Sequence, residues 1–370
     1  MTPRKLVLAA GRHEPVDRVP VTPYMGNYGA ALVGVPIDKY CTSAATMANA
    51  QVAAQELIGH DMLVAQSDGY YMAEALGMTT RRRENTTPVP VAWPITDLEQ
   101  IDTLTVPDPR RDGRMPVYLE AIRLLREAAG NELAVRACGT GAFSLAGHML
   151  GPDAFVTALA LLEIEPDPVA ERRLRRLMEI TTETTTRFAL AAIEAGADVV
   201  MNGDSLASLD MISPAMYENW AWPSERDFFS RVRPAADTRG VLTLLHICGG
   251  MTPVLPLMVR TGAHILELDW KVGLKTARVI AEDEAGASGA GVTSPPALMG
   301  NLDPSAVLLQ GTVEEVRAMA VAAMEAGPRA RHGDGDRRTG FLLGSGCEVA
   351  PLTPLPNMRA MVEAAHTAPE

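Results

Sequence analysis

The chain of 370 residues carries a formal charge of −12 at neutral pH, which argues against nucleic acid or an anionic membrane as a partner and suits a solvated acidic surface. Apolar residues make up 47% of it, so a large buried core is available and a disordered chain is excluded. This length accommodates two domains or one α/β barrel with insertions.

The N-terminal stretch "MTPRKLVLAAGRHEP" has an apolar run too short for a signal peptide, and Arg12, His13 and Glu14 follow it directly. No apolar stretch approaches the roughly 20 residues of a membrane span, so a soluble, cytoplasmic enzyme is expected. Short apolar runs then alternate with helical patterns. Residues 61–68, 133–139, 197–204, 241–249, 264–270, 297–303 and 340–347 each read as a buried strand, with "RVPVTPY" (18–24) as an eighth. Between them, 167–196 and 312–327 read as helices, the second opening on Thr312 and Glu315 as a capping box and closing on Gly327.

Apolar strands separated by helices indicate a parallel sheet covered on both faces. The count favours a single (β/α)8 barrel over 1–370, with an N-terminal extension over about residues 1–60. A dinucleotide fold is disfavoured, because "CGTGAFSLAG" (138–147) has Ser144 where a third glycine is needed. Segment 79–94 reads as a hairpin excursion whose Arg81, Arg82 and Arg83 form a solvated surface. Residues 282–296 and 327–340 read as Gly-rich surface loops.

In a parallel barrel the active site lies where the strands end. The run "LLHICGG" ends with His246 and Cys248, which share a face because the strand period is two. Cys347 ends a strand three later, and "ILELDW" between them brings Glu267 and Asp269. The four cysteines are scattered, which suits reduced thiols or ligands better than a disulfide framework. One imidazole and two thiolates form a soft tetrahedral set suited to zinc, with a fourth position exchangeable in a catalytic site. The competing reading makes them a buried thiol pair and a histidine bonded to a carbonyl. Glu267 is the candidate fourth ligand. Asp269 either competes for that place or orients His246 from behind, and the two readings stay open. Asp204, Ser205, Asn301 and His148 lie at strand ends or beside one, as substrate contacts or as ties between loops. Tyr24, Tyr28, Tyr70 and Tyr71 suit an aromatic pocket or core packing equally.

The stretches "GRHEPVDRVPVTP", "LLHICGG", "LMGNLDPSAVLLQGT" and "GSGCEVAPLTPLPNMRAMVEAA" resemble the uroporphyrinogen decarboxylase superfamily, with gaps, from about residue 11 to 366. The His246, Cys248 and Cys347 pattern is similar to its zinc-dependent corrinoid methyltransferases, which include methylcobalamin:coenzyme M and methyl-ether demethylating enzymes. The resemblance implies the barrel, a zinc site at these residues and methyl transfer. It also aligns Asp61 with the decarboxylases' catalytic aspartate and Ser205 with a substrate serine. Where the decarboxylases carry an arginine-rich run for a substrate with eight carboxylates, this chain reads "PYMGNYGA" (23–30), and Ser345 replaces their last-strand histidine.

Zinc would hold a thiol substrate as thiolate, or polarise a methyl donor for attack by cobalt. None of the seven histidines has an aspartate two residues before it, so the D-x-H-x-x-G corrinoid motif is absent and the corrinoid is expected on a separate protein. The other partner expected is a small-molecule methyl donor or acceptor. Oligomeric state, monomer or homodimer, stays open. The alternatives are a metal-free porphyrinogen decarboxylase and a non-catalytic barrel stapled by zinc.

Overall fold

Sheet strands and helices alternate from residue 62 to the C-terminal helix, with two antiparallel strand pairs inserted, in the computed structural model, which describes residues 1–287, 294–332 and 335–367. The strands in chain order are β1 (Met62–Ala65), β2 (Thr79–Arg81), β3 (Val89–Ala92), β4 (Ala134–Thr140), β5 (Val199–Gly203), β6 (Leu242–Ile247), β7 (Ile265–Leu268), β8 (Ala297–Leu302), β9 (Arg329–His332), β10 (Gly335–Arg338) and β11 (Phe341–Ser345). Seven of them form one sheet in the order β1-β4-β5-β6-β7-β8-β11. Every neighbouring pair in it is parallel. Strands β1, β6, β7 and β11 are buried at every residue, as expected for a parallel sheet covered on both faces.

The expected eighth strand is reduced to a single bridge between Val21 and Leu343. Around it, Thr22 N donates to Leu343 O at 2.7 Å, Leu343 N to Pro20 O at 2.9 Å, and Asp61 N to Val21 O at 2.8 Å. This segment therefore joins the two edges of the sheet, β11 and β1, and closes a (β/α)8 barrel. Pro20 and Pro23 flank the bridge and lack the N–H groups a longer ladder would need.

Helix Pro168–Ala195 starts where Asp167 accepts from Val169 N and Ala170 N, and stops at Gly196, whose φ of 105° is left-handed. Helix Val313–Ala326 carries both halves of the Thr312/Glu315 capping box. Helix Pro3–Gly11 covers the end of the barrel where strands begin: Arg4 pairs with Asp198, and Arg12 donates to Gly240 O. A Cβ on Gly11 would lie 2.4 Å from Leu242 Cδ1, so a larger residue there would make the Leu242 side chain shift.

β2 and β3 pair antiparallel as the expected hairpin, with Arg81, Arg82 and Arg83 exposed. Two expected loops are corrected. Helix Leu274–Gly286 runs through residues 282–286, while 288–293 lie outside the described residues. Segment 327–340 contains the antiparallel pair β9–β10. Its arginine- and glycine-rich sequence lacks the apolar alternation by which strands are read. Among the described residues no single helix is long and apolar enough to cross a membrane.

Candidate active site

The C-terminal ends of β6 and β11 bring His246, Cys248 and Cys347 together. The Sγ atoms of Cys248 and Cys347 are 3.3 Å apart, and His246 Nε2 is 3.2 Å from Cys248 Sγ. All three donor atoms lie within 4.8 Å of one another. Zinc bonds of about 2.3 Å to sulfur and about 2.0 Å to nitrogen place tetrahedral donors about 3.5–3.8 Å apart. The donor set and spacing therefore fit such an ion.

The thiols share a proton unevenly. The Cys347 S–H and the neighbouring imidazole hold the Cys248 thiol well below its usual range, while the Cys248 sulfur and burial push Cys347 up. Burial opposes charge on His246, but the Cys248 thiolate and Glu267 outweigh it and lift its pKa to about 9. All four cysteines are free.

Glu267 pairs in register with His246 on the adjacent strand. Its carboxylate is held from below by Arg136 in two contacts, Nη1 to Oε1 at 2.7 Å and Nη2 to Oε2 at 2.5 Å, and both side chains are fully buried. Glu267 Oε2 lies 3.1 Å from His246 Nδ1, the nitrogen turned away from the thiols. That approach is an ion-pair contact and not an aligned hydrogen bond, since Nδ1 has no partner by angle. The structure thus places Glu267 behind the histidine, outside the three-residue donor group in which the sequence reading expected it as fourth ligand. Asp269 stands beyond the end of β7, and its Oδ1 accepts from Lys271 N. The orienting position considered for Asp269 is occupied by Glu267.

The expected role of Asp61 needs correction. Asp61 precedes β1, so it sits at the opposite end of the barrel, where Arg18 grips both its oxygens at 2.7 and 2.6 Å and Val21 N donates at 2.7 Å. Asp68, beyond the other end of β1, lines the cleft. It is already engaged by Arg114 through both oxygens, by Tyr118 Oη and by Tyr70 N.

A cleft of about 720 Å³ opens over the donor group. Tyr24, Ser205, His148 and Glu348 are among its walls. Ser205 Oγ is 3.6 Å from Cys248 Sγ. His148 packs against the Tyr70 ring with 4.8 Å between centroids, and burial holds its pKa down to about 4. Asp204 does not face the cleft. It accepts from Phe143 N, Ser144 N and Ser144 Oγ, tying the end of β5 to the start of helix Ala142–Leu150. Asn301 likewise ties loops, donating from Nδ2 to the carbonyls of Asp269 and Val272. Tyr24 and Tyr70 line the cleft, whereas Tyr71 stacks on Tyr118 in the core with 3.9 Å between ring centroids.

Sequence reasoning missed Arg136, Asp68 and Glu348. The signal for Arg136 was present: an arginine inside the apolar run "LAVRACG" is rarely buried without a partner. Glu348 directly follows Cys347, accepts from Asn27 N at 2.7 Å, and is pushed by burial up to about 7. Gly26 must be glycine to permit this contact, since a Cβ there would meet Glu348 Oε1 at 2.0 Å.

Fold and site together define a (β/α)8 barrel with an imidazole and two cysteine sulfurs gathered at the C-terminal end of its strands. The uroporphyrinogen decarboxylase (URO-D) family model matches residues 2–368, and the chain belongs to that family. It is 28% identical over 368 residues to the methylcobamide:CoM methyltransferase MtbA of Methanosarcina mazei, covering 98% of this chain and 97% of the relative. It is 25% identical over 363 residues to the uroporphyrinogen decarboxylase of Trichlorobacter lovleyi, covering 95% of each. A solved methyltransferase from Methanosarcina mazei superposes with a TM-score of 0.83 at 28% identity, over 99% of this chain and 98% of that one.

Proposed function

We infer that this protein is a zinc-dependent methyltransferase moving a methyl group between a small thiol or methyl-ether substrate and a corrinoid carried by a separate protein. The observation that carries the reading is the His246, Cys248 and Cys347 donor set at the floor of an open cleft. The likeness to methylcobamide:CoM methyltransferases supports the reaction class and the corrinoid partner.

His246, Cys248 and Cys347 would hold the metal, which supplies a Lewis acid that keeps a bound thiol ionised near neutral pH or polarises a methyl donor. Two thiolates and a neutral imidazole cancel the charge of a divalent ion, so a bound substrate sulfur stays electron-rich. Glu267 fixes the ring of His246 from the Nδ1 side and is itself fixed by Arg136. Tyr24 closes over this assembly, with its ring 4.6 Å from the Arg136 guanidinium and edge-on to His246. Ser205 borders the thiolates and helps position what binds there.

Elemental mass spectrometry of protein prepared without chelators tests the metal, and loss of methylcobalamin absorbance on adding thiols tests the transfer. About one zinc per chain with thiol-dependent demethylation is expected. A metal-free native protein would overturn this reading in favour of metal-independent chemistry.

A further inference from the structure

Charge is distributed unevenly around the cleft. Its described lining residues include no lysine and no arginine. The two arginines buried behind it, Arg114 and Arg136, are already committed, the first to Asp68 and Glu74 and the second to Glu267. His148 does not replace them, because its burial keeps the ring neutral at physiological pH.

What the described lining does present is carboxyl groups and neutral polar side chains, with no cation among them. The Glu348 carboxyl borders it beside Cys347, with Asn27 N as its donor and no ion pair among the described contacts. Gln66 Oε1 and His148 Nδ1 line the same space, buried and with no hydrogen-bond partner. Buried polar atoms left unpaired cost free energy until a ligand pairs them, so their chemistry describes the ligand. An anion entering here would shed its water with only neutral donors and no cation to replace it. A hydroxyl or ammonium group would donate to Glu348, to Gln66 Oε1 and, in the tautomer that leaves it unprotonated, to His148 Nδ1.

The geometry points to a substrate class: a small neutral or cationic methyl donor or acceptor bearing a hydroxyl or amine, recognised by Glu348, Gln66 and His148, with sulfonates and carboxylates disfavoured. This assignment rests on the methyltransferase reading of the same site. The reacting sulfur or oxygen faces Cys248 and Cys347, and the polar end of the molecule extends toward Gln66 and His148.

Calorimetric titration of the zinc-loaded full chain with 2-mercaptoethanol, 2-aminoethanethiol and 2-mercaptoethanesulfonate tests it without turnover. The first two bind at least about tenfold more tightly than the sulfonate, the penalty expected for an uncompensated charge. Glu348→Gln narrows the gap between amine and sulfonate about tenfold while the neutral thiol changes little. A sulfonate that binds native protein as tightly as the neutral thiol overturns the assignment and leaves the methyltransferase reading intact. An unchanged gap in Glu348→Gln removes Glu348 from the recognition set. If none of the three thiols binds the zinc-loaded protein, the assignment and the proposed reaction fall together.

Discussion

Where the strands of the barrel begin, Asp61 and Asp198 lie just before β1 and β5 and are saturated. Asp61 is held by Arg18 and Val21 N, and Asp198 by Arg4, Arg126 and Val135 N. Where the strands end, Glu267 is equally buried and equally paired, but it backs a histidine that faces an open cleft. Glu348 and His148 at that end border the same cleft, and His148 Nδ1 has no partner. Burial and ion pairing are thus common to both ends. What separates these groups is whether a polar atom with remaining capacity meets the open cleft over the His246, Cys248 and Cys347 donor atoms, at the end where barrel active sites lie.

The sharpest test of this contrast is metal retention. His246→Ala and Cys347→Ser are each expected to drop zinc from about one to under about a tenth per chain, whereas Asp61→Asn keeps it. Zinc loss in Asp61→Asn, measured by elemental mass spectrometry, would erase the distinction between the two ends.

Glu267→Gln should weaken zinc binding about 10–100-fold in competition with a chelator, the usual effect of removing a partner behind a metal histidine. It also leaves the Arg136 charge buried without its partner, at a cost of about 3–5 kcal/mol in denaturant unfolding. Adding Arg136→Met to this variant should restore stability but not metal affinity. Recovery of both would mean that Glu267 serves only to neutralise Arg136.

At the other end, Asp61→Ala should cost about 3 kcal/mol, the low side for a broken buried pair because Arg18 is 23% exposed and can rehydrate. Its zinc content should not change.

The neighbouring His60 predicts a pH dependence. It is fully buried with neither ring nitrogen bonded, and burial lowers its pKa from 6.5 to about 4. The unfolded chain therefore binds a proton between these values that the folded chain refuses. The stability contribution is complete above pH 6.5 and is lost as pH falls toward about 4, by up to about 3 kcal/mol. His60→Phe should flatten this part of the unfolding profile, and an unchanged slope would rule out His60 as its source.

Asn301→Ala has the smallest expected effect, about 1–2 kcal/mol from two lost bonds to carbonyls, with substrate affinity preserved. A large loss of affinity with little loss of stability would return Asn301 to the substrate side.

The seven sheet strands lie within the runs identified from apolar patterning, or within a residue of them, and the long helix 168–195 starts and stops on its Asp167 and Gly196 signals. These features are local, set by side-chain period and capping chemistry. The direction of the chain also carried information about Asp61 and Asp68, since a residue before a parallel strand and one after it lie at opposite ends of a barrel. The period of two does not decide Asp269, which lies one residue past the end of β7 as Cys248 lies one past the end of β6; the turn after each strand sets where the side chain goes.

The succession of strands and the residue types able to bind a soft metal are legible in the amino-acid order, because hydrophobic period and donor chemistry belong to short segments. Tertiary structure alone decided which acid stands behind His246. Barrel closure brings Arg136 on β4 to Glu267 on β7, 131 positions away, and sets the carboxylate on the Nδ1 side of the His246 ring. It also decided that the cleft over these donor atoms has no lysine or arginine among its described lining residues, since its walls come from loops far apart in the chain whose meeting no local pattern encodes.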